Sequence, residues 1–248
     1  MKKTLLTMLW LCMLVPTPML AQQMEKKYGD LFDMYIIDNY EKCMKKAMKY
    51  TESEKTKRDD EPWLYVCMSY YKMSQMSEFT EKYPDALMES IKAGTKFRKA
   101  DRSGKTWEAN QDFFDEYKEY MLNKFGKEVK NGSYKDATKY LKKFTKVDEQ
   151  DFGLQIITGV VHLLADKAEG EMMITAALDS LNAEYKSKKY EPQNMKKDAL
   201  MQEAFVDYTA MLAKKEDYMN LAKKIAETGK NIMTDNDEVQ RQYARLNR

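Results

Sequence analysis

The sequence predicts an all-α protein built as a stack of helical hairpins, and three observations carry that expectation. Beyond residue 21 the only prolines are Pro62, Pro84 and Pro192, glycine is sparse, and the helix formers Lys, Glu, Met, Leu and Ala dominate. No segment alternates apolar and polar residues, with β-branched enrichment, for long enough to suggest a strand. A short apolar pattern with helical spacing recurs along the chain.

The first residues form a unit of their own. Met1-Lys2-Lys3 leads into an uncharged apolar run from Thr4 to Leu20, followed by Ala21 and the polar pair Gln22-Gln23. A basic start, a short apolar middle and a small residue before polar ones predict a signal peptide over residues 1–21, leaving a helical domain over 22–248. A membrane anchor needs roughly 20 uninterrupted apolar residues, and here Pro16 and Pro18 break the end of the run. Cys12 lies between Leu11 and Met13, unlike a lipoprotein attachment cysteine. The expected destination is the periplasm, the cell surface or the medium, with no stable membrane insertion after cleavage.

Charge narrows the classes of partner. The whole chain has 42 Lys+Arg and 40 Asp+Glu; removing Lys2 and Lys3 leaves 40 of each, so the mature chain is formally neutral. That excludes a broad electrostatic footprint for nucleic acid or anionic lipid. The mature chain keeps Cys43 and Cys67. An oxidising compartment permits a disulfide between them; the other reading makes both small buried core residues.

The recurring pattern is a large residue, then small or apolar residues three, seven and ten positions later. It occurs as Tyr40, Cys43, Ala47, Tyr50; as Tyr83, Ala86, Ser90, Ala93; and as Tyr134, Ala137, Leu141, Phe144. A weaker copy is Met173, Ala176, Ser180, Ala183, and the last is Tyr218, Leu221, Ile225, Thr228. Such spacing keeps all four positions on one helical face, and small residues there let a neighbouring helix come close. An apolar helix precedes each copy. The clearest runs from Trp63 to Tyr71 after Asp59-Asp60-Glu61-Pro62, where acids and then proline signal a helix start. Another runs from Ala204 to Leu212, before the polar turn Lys214-Lys215-Glu216-Asp217. Lys130-Asn131-Gly132-Ser133 makes a turn before the third copy, and residues 101–112 form a polar connection between repeats. Thr234-Asp235-Asn236-Asp237-Glu238 starts a final helix carrying Val239, Tyr243 and Leu246, which predicts a cap on the end of the array.

These residues resemble tetratricopeptide repeats. Phe205, Tyr208, Thr209 and Leu212 match that family's first-helix positions, and Tyr218, Leu221 and Ile225 its second; Leu64, Cys67, Met68 and Tyr71 with Tyr83, Ala86 and Ala93 give another match. The second-helix motifs begin at 40, 83, 134, 173 and 218 rather than every 34 residues, which implies lengthened helices or inserted loops. The resemblance implies a right-handed superhelical stack of about five antiparallel hairpins, presenting first-helix side chains to a peptide or extended protein. The groove positions it transfers are Tyr65, Ser69, Lys72 and Met73 in the second repeat, with Val206, Ala210 and Lys214 in the fifth.

Signals of chemistry are weak. His162 is the only histidine and lies in an apolar helix, Gly159-Val160-Val161-His162-Leu163-Leu164, as a core or groove-lining residue would. Ser103-Gly104-Lys105-Thr106 superficially suggests a phosphate loop, but Lys99 stands where the first glycine is required. Counted from Asp235, the obligatory glycine and glutamate of a calcium loop are Gln240 and Leu246. No catalytic, cofactor or metal residue is assigned. The expected function is a non-enzymatic interaction scaffold for a protein or peptide partner. The alternative is a structural subunit of a cell-envelope assembly such as a secretion or motility apparatus. Of the 20 methionines and 17 tyrosines, the cluster around Tyr65, Met68, Tyr70, Tyr71, Met73 and Met76 suggests either packing or an adaptable binding face.

Overall fold

A computed structural model describes residues 27–189 and 199–248, and among these every regular element is helical, with no strand. The expected signal peptide, its cut after Ala21, and Pro192 lie outside the described residues. Helices α1 (Gly29–Ile36), α2 (Tyr40–Glu52), α3 (Asp60–Met73) and α4 (Ala86–Ala100) pack in succession, α3 lying against α1, α2 and α4. A short α5 (Lys105–Ala109) leads into the long α6 (Gln111–Lys130), which packs on α7 (Lys135–Phe144). Next, α8 (Phe152–Leu164) pairs with α9 (Glu169–Lys186). Finally α10 (Ala199–Glu203), a π turn over Ala204–Tyr208 and α11 (Thr209–Leu212) run on without a break, against α8, α12 (Met219–Ile232) and α13 (Asp237–Leu246).

The recurring motif marks buried faces in four of its five copies. Cys43, Ala47, Ala86, Ser90, Ala93, Ala137, Leu141, Phe144, Ile225 and Thr228 are all buried. Its leading tyrosine stands at a helix boundary rather than within the helix: Tyr40 opens α2, and Tyr134 and Tyr218 are the N-caps of α7 and α12. Tyr83 lies three residues before α4. The fourth copy is out of register. Ala176, Ser180 and Ala183 are exposed, and α9 instead buries Gly170, Ile174, Ala177, Leu178 and Leu181. Ile174 and Leu181 bury more apolar area than Met173 and Ser180 can, so the helix turns that face inward.

Four helices end in the same corner. After α1, α6, α8 and α9 the chain enters the left-handed region at Asp38 (φ 61), Gly132 (φ 79), Asp166 (φ 56) and Lys188 (φ 58). In each case the next N–H returns to a carbonyl in the last turn: Asn39 to Met34 (3.0 Å), Ser133 to Glu128 (2.8 Å), Lys167 to His162 (2.9 Å) and Lys189 to Glu184 (2.9 Å). These bonds satisfy carbonyls that a helix end leaves orphaned and turn the chain back on itself.

Segment 101–112 is more than a polar connection. Asp101 is buried and accepts the Trp107 N–H at 2.7 Å, which fixes α5 and places the Trp107 ring 4.0 Å from that of Phe114. Arg98 covers the outer face of Trp107 at 4.1 Å. At the other end, Asn236 rather than its flanking acids caps α13, accepting N–H bonds from Glu238 (3.1 Å) and Val239 (3.2 Å). Cys43 and Cys67 are separate buried thiols. Cys43 donates to the Leu31 carbonyl at 3.4 Å, while burial pushes the Cys67 thiol up to about 12.

Candidate functional site

The groove positions transferred from the repeat resemblance do not come together as one surface. Ser69 and Met73 are 0% and 1% exposed, so neither can touch a partner unless the helices separate. Tyr65 is half-buried, its ring 6.2 Å from that of Tyr35 on α1. Lys72 bonds Glu116 of α6 at 2.9 Å. The reason is the packing around α3, which lies against α1, α2 and α4. On α6 the Phe113, Tyr117 and Tyr120 rings lie 5.6, 4.5 and 5.4 Å from Tyr71, a packing position of the resemblance rather than a groove position. Val206 and Ala210 are half-buried and Lys214 exposed, on a segment whose main neighbours are α8 and α12 rather than α3.

Another side of α3 is open. Trp63, Val66 and Tyr70, with Met48 of α2, meet α4 and the end of α7 around a groove of about 420 Å³. Three lysines of α4, Lys92, Lys96 and Lys99, share this face, and Lys143 and Lys146 come from the end of α7 and just beyond it. All five lysines are exposed, and Glu89 is the only acid lining the groove. Glu89 accepts from Lys92 at 2.6 Å. Lys96 Nζ stands 4.2 Å from the centre of the Trp63 ring, within range of a cation–π contact. Among the described residues no ion pair engages Lys99, Lys143 or Lys146. The sequence places Trp63 in the apolar run and gives α4 a packing role but no part in binding. The available signal was the four-and-three spacing of Lys92, Lys96 and Lys99, which puts all three on one stripe of a helix.

Two other charged clusters tie helices together. Lys118 of α6 lies 3.1 Å from both Asp148 and Asp151, and Asp151 also caps α8 by accepting from Leu154 N–H at 2.9 Å. Burial alone pulls the Lys118 ammonium down, but the two carboxylates outweigh it and hold it above its ordinary value. The second cluster surrounds His162, which has no exposed surface. Its Nδ1 is 2.9 Å from a Glu169 oxygen without hydrogen-bond alignment, its Nε2 is 3.4 Å from the Thr138 carbonyl, and Lys142 holds the other Glu169 oxygen at 2.6 Å. Burial lowers the His162 pKa, with Glu169 partly opposing. The buried His162 ring thus lies between α7, α8 and α9.

Among the described residues no group of His, Cys, Asp and Glu is placed to hold a metal ion, and no helix is long and apolar enough to cross a membrane. No family model, curated protein or solved structure matches the chain.

Proposed function

We propose that the protein is an exported, non-enzymatic scaffold that holds a peptide or protein segment against its helical array. We read that array as about five antiparallel hairpins in a right-handed superhelix closed by α13. The succession of packed pairs α1–α2, α3–α4, α6–α7, α8–α9 and α11–α12 supports this reading, as do the reversing corners after α1, α6 and α8. The observation that carries the function is the open α3–α4–α7 groove, where aromatic and apolar side chains lie beside exposed lysines. Aromatic anchors surrounded by polar groups are the usual composition of a recognition surface. A photoreactive residue at Tyr70 should cross-link a discrete partner in envelope fractions, and one at Tyr243 of α13 should not. Equal labelling at both positions would remove the groove from the proposal. Export predicts a mature protein beginning at Gln22, which intact-mass measurement on the fractionated protein checks.

One observation favours the envelope-subunit alternative. Ile36 and Ile37 are 56% and 69% exposed at the first helix of the array, an apolar edge that end-to-end assembly would cover. If so, Ile36→Glu with Ile37→Glu should dissolve the assembled species in light scattering. Unchanged mass would count against assembly through this edge.

A further inference from the structure

The groove has a charge problem that identifies its occupant. Mature-chain charges balance at 40 of each sign, yet the groove gathers five lysines, Lys92, Lys96, Lys99, Lys143 and Lys146, against Glu89 alone. Lys92 pairs with Glu89 but stays exposed and charged, Lys96 lies over Trp63, and Lys99, Lys143 and Lys146 have no carboxylate in the described fold. Cations clustered within about a Debye length, roughly 8–10 Å, repel one another, and a ligand of opposite sign relieves that repulsion. Lys99 and Lys143 stand in the last turns of α4 and α7, where free carbonyls favour positive charge, which offsets part of that repulsion in the empty groove.

We propose that the groove binds an extended acidic peptide segment in which Asp or Glu alternates with apolar residues. The proposal rests on the scaffold reading above and names its ligand. Spacing supports the alternation. Lys92 and Lys96, four residues apart on a helix, are separated by about 6 Å along its axis. Every second side chain of an extended peptide recurs at about 6.6–7 Å, with the intervening ones pointing the other way. Carboxylates on one side of such a segment reach the α4 lysines and Lys143. Apolar side chains on the other side meet Trp63, Val66 and Met48. A nucleic acid would need a longer basic stripe than the balanced mature chain provides, and a membrane would need a convex apolar or basic face rather than a groove.

The test selects short random displayed peptides on the whole mature protein and on a Lys96→Glu, Lys99→Glu, Lys143→Glu variant. All three side chains are exposed, so the variant should fold, and circular dichroism and melting verify this. The expected result is enrichment of alternating acidic–apolar sequences on the mature protein. Their synthetic versions should lose at least about tenfold in affinity for the variant and weaken steadily with added salt. Enriched peptides that lack acids, or that bind the variant equally well, would overturn the acidic ligand and leave the scaffold standing. Failure to enrich any peptide over the starting library would remove the scaffold reading itself. Single-stranded oligonucleotide and phosphatidylglycerol vesicles complete the comparison. Tighter, groove-dependent binding of either would assign the lysines to that class of partner and end the peptide proposal.

Discussion

Two neighbouring regions of this molecule pack their helices by opposite means. Around α6, rings fill the space against α3, α4 and α7: Phe97, Phe114 and Trp107 stack in series, and Tyr71 and Phe144 close on Tyr117 at 4.5 and 4.8 Å. In α8 and α9, glycines bring the backbones together. A Cβ on Gly159 would stand 2.9 Å from the Gly170 carbonyl, and one on Gly170 would collide with the Gly159 carbonyl. The first region depends on filling volume, and the second on leaving volume empty. Equal changes in side-chain size should therefore have opposite consequences in the two places.

The largest effect tests the ring-packed region. Phe114 is 1% exposed between Phe97 and Trp107, so Phe114→Ala removes a core ring and should cost about 3–5 kcal/mol in chemical denaturation. A loss near zero would mean that α5 folds into the vacancy. Next, Gly170→Ala adds a single methyl where no space exists, and should cost about 1–3 kcal/mol. A neutral result would show that α8 and α9 slide apart freely. The control for both is Gly126→Ala in α6, where a Cβ would meet only the Tyr208 hydroxyl at 3.7 Å. There the helix gains, and stability should rise by about 0.5–1 kcal/mol. A loss at Gly126 would erase the contrast between sterically required and merely permitted glycines.

The fourth test uses pH. Burial depresses the His162 pKa, so the fold favours the neutral ring while the unfolded chain takes a proton near its ordinary 6.5. The contribution of His162 is complete above that value and is lost as pH falls through the lower folded-state value. Melting temperature should therefore begin to decline below pH 6.5. His162→Gln should flatten that early decline. An unchanged slope would locate the acid-sensitive step elsewhere.

Much of this architecture is legible in the chain. The helical class, the strong motif copies and the turn at Gly132 follow from spacing and composition. What escaped notice has identifiable causes. The corners at Asp38, Asp166 and Lys188 use left-handed residues that carry no glycine signal. The fourth motif copy went to the wrong face of α9 because Met173 and Ala176 satisfy the same spacing as Ile174 and Ala177. The transferred groove includes Ser69 and Met73, which packing buries, and no local pattern reveals the helices that cover them. The lysine-rich groove assembles from α4 and α7, whose adjacency is a tertiary fact.

The left-handed corners also bear on resistance to heat. For an L-residue other than glycine, asparagine or aspartate, that conformation costs about 1–2 kcal/mol, and a folded domain holds only about 5–15 kcal/mol in all. Lys188 has no such local compensation, so Lys188→Asn should raise the melting temperature without touching the core or the groove. The corner after α9 is thus a place where this fold sits below its attainable stability, and where a more durable form could begin.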